Sequence, residues 1–271
     1  MTSRRVFVEV LLFLLISTRA VSALEPFELF GEPLLVPGAD RLVIDSLVDF
    51  DVEIRERGPG AISLEVVAAR RRSQEIYYEE RNGTLRIEQR RRRSLLRFLP
   101  RRLLLTVPPE SSVEVRTVTG DIRLDGLVGS VVLDTSSGRV SVSGSRGSLN
   151  ISTASGSVDL AGGSGRTIVT SSSGEVRISN RVGRFTVETA AGDIRLRDIF
   201  LQENNSFISS AGNVDLRLRN SRESLRGIFD SGTGDLQVDG MRLEGPVRDS
   251  QGGVLLLART AAGNLRITTR R

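Results

Sequence analysis

The sequence predicts an all-β protein: a right-handed parallel β-helix, or solenoid, of two-strand coils about 18 residues long, preceded by a less regular β region. Three observations carry this. One short phrase recurs, as in TVTGDIRL (117–124), TSSGRVSV (135–142), TASGSVDL (153–160), SSSGEVRI (171–178) and TAAGDIRL (189–196), then SSAGNVDL (209–216), SGTGDLQV (231–238), DSQGGVLL (249–256) and TAAGNLRI (260–267). Its glycines, Gly120, Gly138, Gly156, Gly174, Gly192, Gly212, Gly234, Gly252 and Gly263, are spaced by 18, 18, 18, 18, 20, 22, 18 and 11 residues. The second and fourth residues after each glycine are aliphatic in all nine phrases.

Strand alternation places those two residues on one buried face: Ile122/Leu124, Val140/Val142, Val158/Leu160, Val176/Ile178, Ile194/Leu196, Val214/Leu216, Leu236/Val238, Val254/Leu256 and Leu265/Ile267. A second strand precedes each glycine, with Val113/Val115, Val131/Leu133, Leu149/Ile151 and Phe185/Val187 pointing inward. Between the strands lies a column of hydroxyl-bearing residues, Thr117, Thr135, Thr153, Ser171, Thr189 and Ser209, able to hydrogen-bond along the column. The adjacent glycine permits a sharp corner. Coils stacked at about 4.8 Å give a repeat body roughly 38 Å long, right-handed by the crossover rule. Insertions at 202–205 and 220–226 should bulge at one corner, and the final 11-residue step should form a terminal closing strand.

Ahead of the repeats, residues 1–23 have the form of a signal peptide. Arg4 and Arg5 precede an apolar run from Val6 to Ile16, and Val21-Ser22-Ala23 supplies a small-x-small cleavage pattern. Retention as an anchor is the alternative; cleavage would lower the formal charge from +5 to +3 and leave no transmembrane span. Residues 24–110 form an N-terminal β region continuous with or capping the solenoid, and 111–271 hold the repeats. Within 24–110, alternating stretches such as Ile62-Ser63-Leu64-Glu65-Val66 are separated by turn signals at Pro37-Gly38, Gly58-Pro59-Gly60 and Asn82-Gly83. Leu103–Val107 reads as a strand leading into the repeats.

Composition restricts the chemistry. All 38 basic residues are arginine, and His, Cys and Trp are absent. That excludes thiolate and imidazole metal sites, Ser–His–Asp triads, Schiff bases and the phosphate-loop lysine. No catalytic, metal or cofactor site is expected. Carboxylates such as Asp193 and Asp235 could share a groove, but one acid per coil is ordinary for a soluble strand, and no G-G-x-G-x-D calcium repeat is present. The densest charge is Arg90, Arg91, Arg92, Arg93, Arg97, Arg101 and Arg102, interleaved with leucines. It reads either as contact with an anionic lipid or polymer surface or as a solvated loop.

The phrase T-x-S-G-D-(I/V)-x-(L/V) at this spacing, after Leu105-Thr106-Val107-Pro108, resembles the bacterial adhesin-like family of β-strand repeats, a domain of unknown function. The resemblance implies an exported, envelope-associated β-solenoid and supplies no catalytic residues. The expected function is therefore a non-catalytic cell-envelope protein offering a polar surface to envelope or surface partners. Outward residues Asp121, Arg123, Glu175, Arg177, Asp193 and Arg195 would form charge ladders on it. A self-assembling homo-oligomeric scaffold and a β-helix polysaccharide-active enzyme are the alternatives. Nucleic acid is not an expected partner at this modest net charge.

Overall fold

The computed structural model describes residues 25–27, 33–58, 60–68, 75–90, 101–250 and 252–270. The expected signal segment and Arg91, Arg92, Arg93 and Arg97 lie outside the described residues. Two parallel sheets face one another across an aliphatic interior. One sheet is formed by strands that follow the corner glycine: Ile122–Asp125, Val140–Ser143, Val158–Ala161, Val176–Ser179, Ile194–Leu201 and Val214–Ser221. Its register steps by the repeat, Ile122 opposite Val140, Val140 opposite Val158, Val158 opposite Val176 and Val176 opposite Ile194. The opposing, pre-glycine sheet runs Ser112–Thr119, Val128–Ser137, Arg146–Thr153, Ser164–Ser171, Val182–Thr189 and Asn205–Ser209, again in parallel. The alternating aliphatic residues of both sheets are buried. Each such side chain contributes about 1.5–3 kcal/mol.

The glycine corner sets how closely rungs stack. A Cβ on Gly174 would lie 1.8 Å from the Gly156 carbonyl oxygen, and one on Gly192 would lie 2.1 Å from that of Gly174. No other residue type fits that contact. The hydroxyl column satisfies the corner largely within each rung: the Gly156, Gly174 and Gly192 N–H groups donate to Thr153, Ser171 and Thr189, each at 2.9 Å. Bonds from rung to rung, as expected from the sequence, occur where Ser209 donates to the Gly192 carbonyl (3.1 Å) and Thr260 to that of Gly212 (2.7 Å).

Both ends depart from simple sequential stacking. The rung Arg41–Val48 and Asp51–Glu56 is sandwiched between the first repeat rung and the rung made by Thr84–Arg90 and Arg101–Val107. Leu103–Val107 thus leads into the repeats in sequence but does not lie beside them. Antiparallel strands Glu75–Arg81 and Ala61–Ala68 cover this end. Asn82 (φ 51°) and Gly83 (φ 73°) make the tight hairpin turn before Thr84.

The C-terminal end mirrors this arrangement and corrects two expectations. The last rung, Val254–Thr260 with Leu265–Arg270, is not a closing strand. It lies inside, between Asn205–Ser209/Val214–Ser221 and Leu225–Asp230/Leu236–Val238. The end is closed instead by the antiparallel strands Met241–Leu243 and Val247–Asp249. The Gly252 phrase is no corner either: Val254 and Leu256 belong to the pre-glycine sheet, and Val254 is only half-buried. The corner contacts record the true order, since a Cβ on Gly263 would meet the Gly212 oxygen at 2.3 Å and one on Gly234 would meet the Gly263 oxygen at 1.9 Å.

At the insertions Gln202, Glu203 and Asn204 are exposed as expected, but Asn205 and Asn220 turn inward. Asn205 Oδ1 accepts from the Phe185 N–H (2.9 Å), and Asn220 bonds both backbone groups of Leu201 (2.7 and 3.1 Å). Each amide replaces a missing ladder partner.

The corner contact predicts the outcome of a paired substitution. Gly174→Ala should lower stability by roughly 3 kcal/mol, a fall of about 10 °C in Tm, because backbone must move. Gly253→Ala, with nothing within 4 Å of the added Cβ, should leave Tm unchanged in the same thermal denaturation.

Candidate functional site

Of the arginines expected to meet an anionic surface, Arg90 ends one strand of the N-terminal cap rung and Arg101 begins the next. Arg102 is exposed and 3.6 Å from Glu53, a carboxylate it shares with Arg55.

The outer face of the post-glycine sheet carries the expected charges, but they divide into two roles. Where Asp or Asn follows a corner, on every rung but the outermost, its side chain caps the neighbouring backbone. Asp51 Oδ1 accepts from the Asp121 N–H (3.0 Å), Asp121 from that of Arg139 (2.8 Å), and Asp193 from that of Asn213 (2.8 Å). The series continues from Asn213 to Asn264 (3.0 Å) and from Asn264 to Asp235 (2.9 Å). Asp121 and Asp193 thus belong to a structural ladder rather than to a catalytic groove, each bond contributing about 1 kcal/mol, whereas Asp235 enters it only through its backbone N–H and its carboxylate pairs with Arg242.

The central column of the face holds the ion pairs. Arg177 and Arg195 stand opposite one another on neighbouring rungs, an unfavourable juxtaposition by itself. Glu175 accepts from both, and Arg195 also reaches Asp193 at 2.9 Å. Arg177 reaches Asp159 at 3.4 Å.

Beside this column the face is dented. Where flanking rungs carry Asp125 and Arg197, three successive rungs carry Ser143, Ala161 and Ser179. Together with Ser141, these small residues floor an open cleft of about 490 Å³, walled by Arg123, Arg177, Arg195 and Arg197 and by Asp125 and Asp159. At its rim, burial would raise the Asp125 pKa, but hydrogen bonds from Ser143 and Arg123 and the charges of Arg123 and Arg55 prevail. The carboxyl is held below its ordinary value of 3.8. Sequence reasoning did not find this cleft, although lining up the fifth residue after each glycine exposes the run Ser143, Ala161, Ser179.

A second feature missed from sequence is Arg181, which is 1% exposed and points into the rod. Its guanidinium donates to the Ser145 carbonyl (3.1 Å) and hydroxyl (3.2 Å), the Gly162 carbonyl (2.8 Å) and Thr167 Oγ1 (3.0 Å). Burial lowers its pKa to about 10, so it stays charged at neutral pH. The small residues Gly163 and Ser145, one and two rungs back in its own column, give it room. Among the described residues no group of three or more acids could hold a metal ion, and no helix is long and apolar enough to cross a membrane.

The family model described as Toastrack DUF4097 matches residues 39–270. No curated protein matches the chain. A solved structure of a candidate cell adhesion protein from Clostridium sporogenes is similar at 14% identity and a TM-score of 0.30, over 91% of this chain and 100% of that one.

The Asp125 environment predicts a pH signature. Because its pKa is lowered on folding, the carboxylate stabilises the native state above pH 3.8, and the contribution is lost as pH falls through the folded value. Asp125→Asn should therefore melt below wild type at neutral pH, with the gap closing in acid.

Proposed function

Because the chain belongs to the Toastrack DUF4097 family, we propose that it is a non-catalytic, exported, adhesin-like β-solenoid that meets envelope or surface partners through its polar outer faces. One observation carries this reading: the acids best placed for chemistry are already committed. The Asp121 and Asp193 carboxylates join the corner ladder, Asp235 pairs with Arg242, and Glu175 and Asp159 bind arginines. A face so occupied suits display and contact better than proton transfer, which needs a free group in a dry, convergent site. The leader-like residues 1–23 support export. A right-handed coil accords with the crossover rule.

End-to-end self-assembly is disfavoured by the antiparallel strands covering the last parallel rung at each end. The arginines Arg90–Arg93, Arg97, Arg101 and Arg102 are assigned contact with an anionic surface. This is supported by the density of positive charge beside leucines in that stretch.

Purified chain added to intact bacterial cells should bind saturably; absence of binding at micromolar concentration would remove the surface-contact role. Vesicles containing anionic lipid should retain the chain and release the Arg90–Arg93→Ser variant. Equal retention of both would end the arginine assignment alone.

A further inference from the structure

We propose that the cleft over Ser141, Ser143 and Ser179 binds the anionic groups of an acidic polysaccharide without cleaving it, a proposal that rests on the surface-contact reading and gives it a ligand. Four guanidiniums and two carboxylates line the cleft, and Glu175 and Asp193 pair with Arg177 and Arg195 from outside the lining. The positive charge left for a ligand is mainly that of Arg197. Arg197 makes no ion pair among the described residues, and Arg123 meets Asp125 through Nε alone, at 3.1 Å. Arg177 and Arg195 are held in place by the shared Glu175 and keep further N–H donors free. Holding a guanidinium before the ligand arrives reduces the ordering cost of binding.

The chemistry of the floor narrows the ligand. Val140–Ser143, Val158–Ala161 and Val176–Ser179 each pair on both sides, so their backbone groups are consumed by the ladder. Recognition must come from side chains, and these offer guanidiniums and serine hydroxyls. Guanidinium matches carboxylate or sulfate ester in a forked, charge-assisted geometry, and the hydroxyls match sugar hydroxyls. A peptide would want a free sheet edge or apolar pockets, and the cleft supplies neither. The lining contains no aromatic ring, which removes the stacking platform used for nucleic-acid bases. The walls from Arg123 to Arg195 span five rungs, about 19 Å, which fits an oligomer better than one sugar.

The test is calorimetric titration of the purified chain with polygalacturonate (carboxylate) and dextran sulfate (sulfate ester), with neutral dextran as reference. At least one acidic polymer should bind, more weakly in high salt, while dextran should not. The variant Arg123→Gln/Arg177→Gln/Arg195→Gln/Arg197→Gln should lose about tenfold or more in affinity. A charge-matched variant elsewhere on the surface, Arg146→Gln/Arg166→Gln/Arg226→Gln/Arg248→Gln, should change affinity by less than about twofold. Ser143→Glu/Ser179→Glu should block the floor with every arginine retained, and circular dichroism would confirm that each variant is folded. The proposal is overturned if neither acidic polymer binds, if the charge-matched variant loses as much, or if new reducing ends appear. Undiminished binding to intact cells by the cleft variant would spare the surface-contact role and remove the cleft from it.

Discussion

The structure depends on one steric fact: at each corner the carbonyl oxygen of one rung occupies the place where the next rung's Cβ would be. Only glycine tolerates that approach, and its presence brings the two backbones into ladder distance. The remaining features of the phrase follow. A hydroxyl three residues earlier satisfies the glycine N–H, and Asp or Asn just after it caps the neighbouring rung. Aliphatic pairs then stack as the interior. The rod stays thin because every rung must repeat nearly the same volume. Large rings are few, such as Phe185 and Phe207, stacked with centroids 6.3 Å apart.

Stacked rungs normally contribute nearest-neighbour stability and can fray from the ends. Here each end is interleaved. The rung nearest the N-terminus, Arg41–Val48 with Asp51–Glu56, and the rung nearest the C-terminus, Val254–Thr260 with Leu265–Arg270, are both interior in space. The C-terminal strand cannot peel away without opening ladders on two sides. Antiparallel strands then cover the outermost parallel strands, which would otherwise offer open edges.

This division explains what could be read before the structure was known. The coil, the inward aliphatic pairs and the hydroxyl column are local patterns, and local patterns survive in sequence. Rung order at the ends does not, because the phrases around Gly234 and Gly263 look alike whichever one is outermost. The Gly252 phrase imitates a corner by containing glycine before two aliphatics. The second glycine column, Gly147, Gly165 and Gly183, escaped notice although a Cβ added at each would lie within 2.4 Å of the preceding rung's carbonyl oxygen. Arg181 was hidden for a different reason: arginine is this chain's only cation, so one buried copy does not stand out. The cleft is a property of missing side chains on three rungs, and nothing in any single phrase marks it.

The same economy of form bears on function. Most charges on the post-glycine face hold the face together, leaving Arg197 and the serine floor as the least committed part of it. All of this presupposes that the C-terminal rung is interior. Native-state hydrogen exchange tests that most directly. Amides of Leu265–Arg270 should exchange as slowly as those of Ile194–Leu201, within about a factor of ten. Exchange of Leu265–Arg270 at the rates of a fraying terminus would contradict the interleaved rod.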